Sequence, residues 1–158
     1  GILSALVFVI TAYLYIPTYN GYVHCGDGLI FLAACVLPMP YSIIVGALGA
    51  MLADLLTGFA IWAPGSMIIK GLLALLFTCK SNKILTKRNL GMLLPAALIS
   101  AAGYYLYEAL ITGSFIASLS GIPGSIIQAV ASSILFVVAG LAMDKYNIKK
   151  KLLEDYNR

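Results

Sequence analysis

The stretch Gly46–Gly71, GALGAMLADLLTGFAIWAPGSMIIKG, constrains the arrangement of the whole chain. It predicts an apolar helix, a short break at Trp62–Gly65 and a second apolar helix. Each predicted helix carries one charge, Asp54 in the first and Lys70 in the second. An ionisable side chain at membrane depth is costly unless it is paired or faces a polar cavity. The stretch therefore predicts a solute site, a buried ion pair between Asp54 and Lys70, or both.

The composition is that of an integral membrane protein. Of the 158 residues, 61% are hydrophobic and 10% are charged, whereas about a quarter of a soluble domain is charged. The length fits roughly six spans of about 20 residues each and leaves no room for a soluble catalytic domain. We predict one substrate-binding domain over 1–158, with a membrane part at 1–143 and a cytoplasmic tail at 144–158. The apolar start lacks a basic segment, so it is expected to be a first span without its cytoplasmic end rather than a signal peptide.

Basic residues predict the orientation of the chain. Six apolar segments are expected, at 2–16, 27–37, 41–59, 66–79, 90–112 and 124–143. The connections on one side, at 18–26, 60–65 and 113–123, contain no Lys or Arg, and every one of the ten Lys and Arg residues except Lys70 lies on the other side. The excess of positive charge in cytoplasmic loops then places both termini in the cytoplasm. The expected fold is an all-α, multi-pass membrane protein with six transmembrane helices.

Five polar residues from five predicted spans share one depth in the outer part of the membrane: Asp27, Asp54, Lys70, Glu108 and Gln128. Those inside the spans lie about 6–8 Å from the outer end at 1.5 Å per residue. Because scattered structural residues would not share a depth, they predict a cavity that opens outward. Asp27 has an alternative role as a helix N-cap.

Aromatic residues are concentrated at the same end of the predicted helices: Tyr19, Tyr22, Trp62, Tyr104, Tyr105 and Tyr107. Taken singly, each also fits an interfacial belt. Tyr104 and Glu108 are i, i+4 neighbours and are expected to face the cavity together, with Trp62 at its rim. His24 is the only histidine and cannot complete a metal site of standard ligand count. It is interpreted first as a solvated loop residue and second as a substrate contact.

Small residues recur at four-residue spacing in two predicted spans. Gly46, Ala50 and Asp54 lie on one face of the third span, where internal packing is expected because such spacing permits close helix approach. Gly1 and Ala5 have the same spacing in the first span, where an external partner helix is a further option.

The chain lacks the motifs of nucleotide hydrolysis and of common hydrolases. No GxxxxGK[ST], HExxH or GxSxG sequence is present. No enzymatic activity, metal or cofactor is therefore expected, and uphill transport would need a partner or an ion gradient. The two basic clusters, Lys80–Arg88 and Lys145–Lys151, are typical topology determinants and do not indicate nucleic-acid binding.

Five stretches together resemble the substrate-binding S component of energy-coupling-factor (ECF) transporters: Gly21–Gly28, Gly46–Asp54, Ala63–Gly71, Gly103–Glu108 and Ile122–Gln128. The resemblance implies six membrane helices in a prokaryotic plasma membrane and a micronutrient pocket near the outer face. It also implies association with a transmembrane coupling subunit and two ATPases. In this family the first helix docks on the coupling subunit through small residues, which Gly1 and Ala5 match.

The predicted pocket comprises Tyr22, His24, Asp27, Asp54, Trp62, Lys70, Tyr104, Glu108 and Gln128. Acids, one lysine and several aromatics suit a small, flat, polar heterocycle, so a B6-like vitamer is the first substrate hypothesis and riboflavin the second. An ion-coupled secondary transporter using Asp54, Lys70 and Glu108 is the alternative function, although no internal repeat supports it. An intramembrane enzyme is disfavoured because no nucleophile–base pair is visible.

Overall fold

The computed structural model describes residues 1–18 and 21–156 and is largely helical. Tyr19, one of the predicted outer aromatic residues, lies outside the described residues. The elements in chain order are α1 (Ile2–Tyr13), β1 (Tyr15–Thr18), β2 (Gly21–His24), α2 (Gly26–Val36), α3 (Met39–Leu56), α4 (Ala63–Leu76), α5 (Lys87–Gly91), α6 (Leu93–Thr112), α7 (Phe115–Ser118), α8 (Ile122–Lys145) and α9 (Ile148–Tyr156). Short 3₁₀ turns at Ala60–Trp62 and Leu119–Gly121 precede α4 and α8.

Three helical stretches are long and apolar enough to cross a membrane: Met39–Leu56, Lys87–Thr112 and Phe115–Lys145. Three shorter apolar helical stretches accompany them: Ile2–Tyr13, Gly26–Val36 and Ala60–Leu76. These six stretches follow the order of the six predicted segments. The number of spans and the cytoplasmic position of both termini remain predictions.

The break between α3 and α4 lies earlier than predicted. Gly58 has a φ of +89° and forms the turn, whereas Trp62–Gly65 was expected to interrupt the helices. Pro64 instead lies in the first turn of α4, where a proline is favoured because its missing N–H would have no intrahelical partner. The expected break at Trp62–Gly65 is therefore wrong, and Trp62 immediately precedes α4.

A β-hairpin separates α1 from α2, where only a longer first helix and a loop were predicted. The strands pair antiparallel, with Tyr15 opposite His24 and Pro17 opposite Tyr22. The first helix consequently ends at Tyr13 and not near residue 16. Pro17 is compatible with this arrangement because a two-stranded ribbon has only edge strands, which tolerate a missing N–H.

The core is built around α2, a helix of 11 residues. Nearly all of α2 is buried, which explains why it reads as uniformly apolar rather than amphipathic. Three aromatic rings join α2 to its neighbours: Phe31 stacks on Phe77 with ring centroids 4.4 Å apart, and Phe136 lies edge-on at 5.3 Å from Phe77.

Close approach of α3 to two other helices confirms the predicted internal packing of its small residues. A Cβ on Gly49 would lie 2.7 Å from the Val7 side chain of α1, and one on Gly46 would lie 3.0 Å from the Lys70 carbonyl of α4. On α1, by contrast, Gly1 and Ala5 are exposed. A role of these two residues in binding a partner helix stays a prediction.

Candidate functional site

A cavity of about 90 Å³ lies at the end of the bundle where α2, α4 and α8 begin and where α3 and α6 end. Its lining comprises Tyr22, Val23, His24, Asp54, Phe59, Trp62, Ser66, Tyr104, Glu108, Gly121, Gly124, Ser125 and Gln128. The structure thus brings together all the residues predicted for the pocket except Asp27 and Lys70, which do not line it.

Asp54 presents a partly unsatisfied carboxylate to the cavity. The Tyr22 hydroxyl donates a hydrogen bond to Oδ1. Burial and the adjacent Asp54 charge raise the pKa of Tyr22, so this hydroxyl stays protonated. Oδ2 is buried and accepts no hydrogen bond of ordinary geometry from the described residues. Leaving a buried acceptor unpaired is unfavourable, and a bound solute with a donor group would satisfy it.

Lys70 pairs with Asp27 and not with Asp54. Its Nζ lies 2.8 Å from Oδ1 and 2.9 Å from Oδ2 of Asp27, and both side chains are almost completely buried, at 0% and 2% exposure. The predicted Asp54–Lys70 ion pair is therefore wrong. The predicted N-cap role of Asp27 is wrong as well, because Cys25 occupies the N-cap of α2 and no side chain caps it.

The ion pair is adjacent to the cavity and is connected to it by two lining residues. Gln128 donates from Nε2 to Oδ2 of Asp27 at 3.1 Å. The Lys70 ammonium lies 4.7 Å from the centre of the Tyr104 ring, in the range of a cation–π contact. The Tyr104 hydroxyl in turn lies 2.9 Å from Oγ of Ser66. The buried charges therefore hold Tyr104 and Gln128 in position.

His24 is buried, which corrects its interpretation as a solvated loop residue. Its exposure is 7%, and its Nδ1 accepts a hydrogen bond from the Gly26 amide at 3.1 Å. Because a neutral imidazole has one donor and one acceptor nitrogen, Nε2 then carries the proton. Burial lowers the pKa of His24 to about 4, so the ring is neutral at physiological pH.

Aromatic packing fixes one wall of the cavity. The Trp62 ring lies 6.1 Å from the Tyr104 ring and 6.0 Å from the Tyr107 ring. The Tyr107 hydroxyl donates to the Ile61 carbonyl at 2.8 Å, and its ring packs on Gly65, where a Cβ would come within 2.6 Å. Tyr107 therefore stabilises the turn before α4 and does not line the cavity.

Glu108 and a glycine form another part of the cavity lining. Glu108 is buried, at 5% exposure, and lies one turn after Tyr104 on α6, as their spacing predicted. A Cβ on Gly121 would lie 2.6 Å from Oε2 of Glu108. An alanine at this position would therefore require the Glu108 carboxylate to move.

Sequence reasoning missed six lining residues: Val23, Phe59, Ser66, Gly121, Gly124 and Ser125. Helical spacing could have indicated two of them, since Ser66 lies one turn before Lys70 and Gly124 lies one turn before Gln128. Tyr105, expected at this end, does not line the cavity, and its ring lies 6.3 Å from that of Phe115.

The arrangement can recognise a small polar solute by hydrogen bonding and ring contact. Two carboxylates, an amide and hydroxyl groups face a space enclosed by aromatic rings. Among the described residues, no group of three or more His, Cys, Asp or Glu side chains is placed to hold a metal ion.

The fold and the site together define a class of protein: a helical membrane protein with a small polar cavity at one end of its bundle. The family model of the ECF-type riboflavin transporter S component matches residues 1–145. The chain belongs to this family and is a transport subunit for vitamin uptake rather than an enzyme. No curated individual protein matches the chain.

Proposed function

We propose that this S component binds a single-ring, vitamin-type heterocycle of the B6 or pyrimidine kind in the cavity around Asp54. The observation that carries the proposal is the size of the cavity, about 90 Å³. Pockets for drug-sized ligands are typically roughly 300–1,000 Å³. A tricyclic ring with a sugar-alcohol chain, as in riboflavin, is much larger than a substituted pyridine and would need the walls to move further apart.

The polarity of the lining supports a ligand with several donor groups. Asp54 Oδ2 accepts no hydrogen bond of ordinary geometry from the described residues, and Glu108 and Gln128 add further acceptors. Hydroxyl, hydroxymethyl or amino substituents on a flat ring would donate to them, while Trp62 and Tyr104 would contact the ring itself.

Riboflavin is the second candidate, because the family whose model matches the chain is described by that substrate. Its ring system would also find aromatic contacts in this pocket. The two candidates differ in the space they need, so one comparison of ligands separates them.

In the proposed cycle the cavity opens to the outside of a prokaryotic plasma membrane and both termini lie in the cytoplasm. The positive-inside distribution of Lys and Arg supports this orientation. A coupling subunit docks on the α1 face that carries Gly1 and Ala5, and two ATPases supply the energy. Membership of the family supports the coupling subunit and the ATPases. The exposure of Gly1 and Ala5 supports the α1 face as the docking surface.

The test is a ligand panel on the purified full chain in detergent, read as thermal stabilisation and by titration calorimetry. The panel contains pyridoxine, pyridoxal, the aminopyrimidine of thiamine and riboflavin. A ligand at 100 times its Kd stabilises the folded chain by about 2.7 kcal/mol. Stabilisation by a single-ring compound supports the proposal, whereas stabilisation by riboflavin alone overturns the size argument. If no member of the panel binds, the cavity is not a vitamin site.

Substitution of two serines on α8 tests whether the ligand binds in this cavity. Oγ of Ser125 donates to the Gly121 carbonyl and Oγ of Ser133 to the Ala129 carbonyl, the same i−4 pattern, but only Ser125 lines the cavity. Ser125→Leu is expected to fill the cavity and abolish the ligand-induced shift, and Ser133→Leu is expected to retain it. Equal effects of the two substitutions would move the site elsewhere.

Transport assays separate the proposal from ion-coupled transport. Uptake into vesicles is expected to require the coupling subunit and ATPases and to survive a protonophore. Uptake by this chain alone that collapses with the ion gradient would make it a secondary transporter instead.

A further inference from the structure

A second, larger groove lies at the opposite end of the bundle from the cavity. It has a volume of about 740 Å³. It runs along the end of α2, the start of α3, the end of α4 and the connection between α4 and α5. The lining residues are Ala34, Leu37, Pro38, Met39, Leu75, Phe77, Thr78, Cys79, Lys80, Ser81, Thr86 and Arg88.

The lining divides into two chemically different parts. Leu37, Met39 and Leu75, in or next to helices, form an apolar part, whereas Lys80 in the connection after α4 and Arg88 in α5 form a cationic part. Both cations are exposed, and no acidic residue lines the groove. A ligand that fits both parts has an apolar chain joined to an anionic group.

The cationic wall is held in place although it contains little regular structure. Asn89 is fully buried and joins three segments: its Nδ2 donates to the Ile84 carbonyl at 3.0 Å and to Cys35 Sγ at 3.1 Å, and its Oδ1 accepts from the Thr78 amide at 3.2 Å. A groove with a fixed wall can bind a ligand without first ordering a loop.

The last turn of α8 and the start of α9 also hold this wall in place. Asp144 accepts hydrogen bonds from the backbone amides of Ile84 at 2.7 Å and Leu85 at 3.0 Å. Lys149 donates to the carbonyl oxygens of Cys79, at 2.7 Å, and of Ser81. These contacts occupy polar groups of the connection and leave the two exposed cations as the charged groups that line the groove.

We propose that this groove binds an anionic phospholipid, with the phosphate between Lys80 and Arg88 and an acyl chain along the apolar part. The groove lies at the ends of apolar helices, where a bilayer places its headgroups. Basic pockets between membrane helices on the cytoplasmic side are suited to anionic headgroups, and each cation near an anionic surface contributes roughly fivefold in affinity.

The test measures lipid binding to the delipidated full chain by native mass spectrometry. The probes are phosphatidylglycerol, phosphatidylcholine with the same acyl chains, and inorganic phosphate. The test variant is Lys80→Gln with Arg88→Gln. The matched control is Lys83→Gln with Lys87→Gln, which removes the same charge from the same segment, 80–88, at exposed residues that do not line the groove. Thermal unfolding of each variant verifies that it is folded.

We expect phosphatidylglycerol to bind more tightly than phosphatidylcholine and the test variant to lose affinity by a factor of roughly 30, since two cations are removed. The control variant is expected to keep most of the wild-type affinity, because Lys83 and Lys87 do not line the groove. Equal losses in both variants would mean diffuse surface attraction and overturn the proposal. Equally tight binding of inorganic phosphate would identify a free-anion site. Loss of lipid binding in the assembled transporter would identify the groove as a protein interface instead.

Discussion

Substitution of Lys70 by methionine tests the assignment of the buried ion pair. Methionine keeps most of the apolar length of lysine and removes only the ammonium group. The change leaves Asp27 buried, at 2% exposure, with the Gln128 amide at 3.1 Å as its remaining partner among the contacts described above.

The structure gives the size of the effect. Removing one partner of a buried ion pair typically destabilises a protein by about 3–5 kcal/mol, because the other charge is left uncompensated. For a chain of this length each kcal/mol corresponds to roughly 2–4 °C in Tm. The expected fall in Tm for Lys70→Met is therefore roughly 6–20 °C.

A second substitution identifies the partner. Asp27→Asn in the Lys70→Met background removes the stranded charge and is expected to restore most of the lost Tm. Asp54→Asn in the same background serves as the matched control and is expected to restore little. The assay is thermal unfolding of the purified chain in detergent, followed by tryptophan fluorescence of Trp62, the only tryptophan.

The reasoning fails if Asp54→Asn restores Lys70→Met as well as Asp27→Asn does. It also fails if Lys70→Met alone lowers the Tm by less than about 2 °C, which corresponds to less than about 1 kcal/mol.

Three further predictions concern the cavity. Glu108→Gln is expected to weaken substrate binding by roughly 10- to 100-fold, for the loss of a hydrogen bond to a charged group. Trp62→Ala is expected to weaken binding through the loss of its contact with the ligand ring, and the Tm without substrate is expected to change little in either variant. Gly121→Ala is expected to weaken binding as well, because its Cβ would meet Oε2 of Glu108 at 2.6 Å, and Gly91→Ala is the control, with open space around its Cβ. The third prediction is that acid destabilises the chain through His24. Its pKa is about 4 in the folded chain and about 6.5 when unfolded, so the unfolded chain binds a proton at His24 first as the pH falls. The folded chain therefore keeps its full stability above pH 6.5 and loses stability as the pH falls towards 4.

Titration calorimetry measures the first two predictions, and normal affinity in both Glu108→Gln and Trp62→Ala would place the pocket elsewhere. Equal affinities of Gly121→Ala and Gly91→Ala would contradict the close approach to Glu108. The third prediction is tested by measuring the Tm of the wild type and of His24→Gln at several pH values. The stability of the wild type relative to His24→Gln is expected to fall by about 2 kcal/mol between pH 7 and pH 5. A pH-independent difference would contradict the burial of His24.

The location of the site was predictable because charges in apolar segments leave few options. Asp54 and Glu108 had to avoid lipid, and their shared depth was enough to place them at one cavity. The helical spacing of Tyr104 and Glu108 gave their common orientation correctly. These inferences use only local geometry and the cost of burying charge.

The pairing of the buried charges was not predictable from proximity in sequence. Lys70 follows Asp54 by only 16 residues, across the connection from α3 to α4, yet it pairs with Asp27, 43 residues away. The choice depends on the central position of α2, which is fixed by packing among several helices and leaves no periodic signal. The approach of Gly121 to Glu108 depends in the same way on how α6 and α8 meet.

The ion pair also constrains how the chain enters the membrane during synthesis. Helix α2 is short and carries Asp27, and α4 carries Lys70, so each partitions poorly into lipid alone. Since Lys70 is made 43 residues after Asp27, we expect α2 to remain beside the insertion machinery until α4 emerges. We expect glycosylation mapping of truncated chains to show α2 membrane-integrated only when Lys70 is included. Stable integration of shorter chains would show that α2 enters lipid with its charge unpaired.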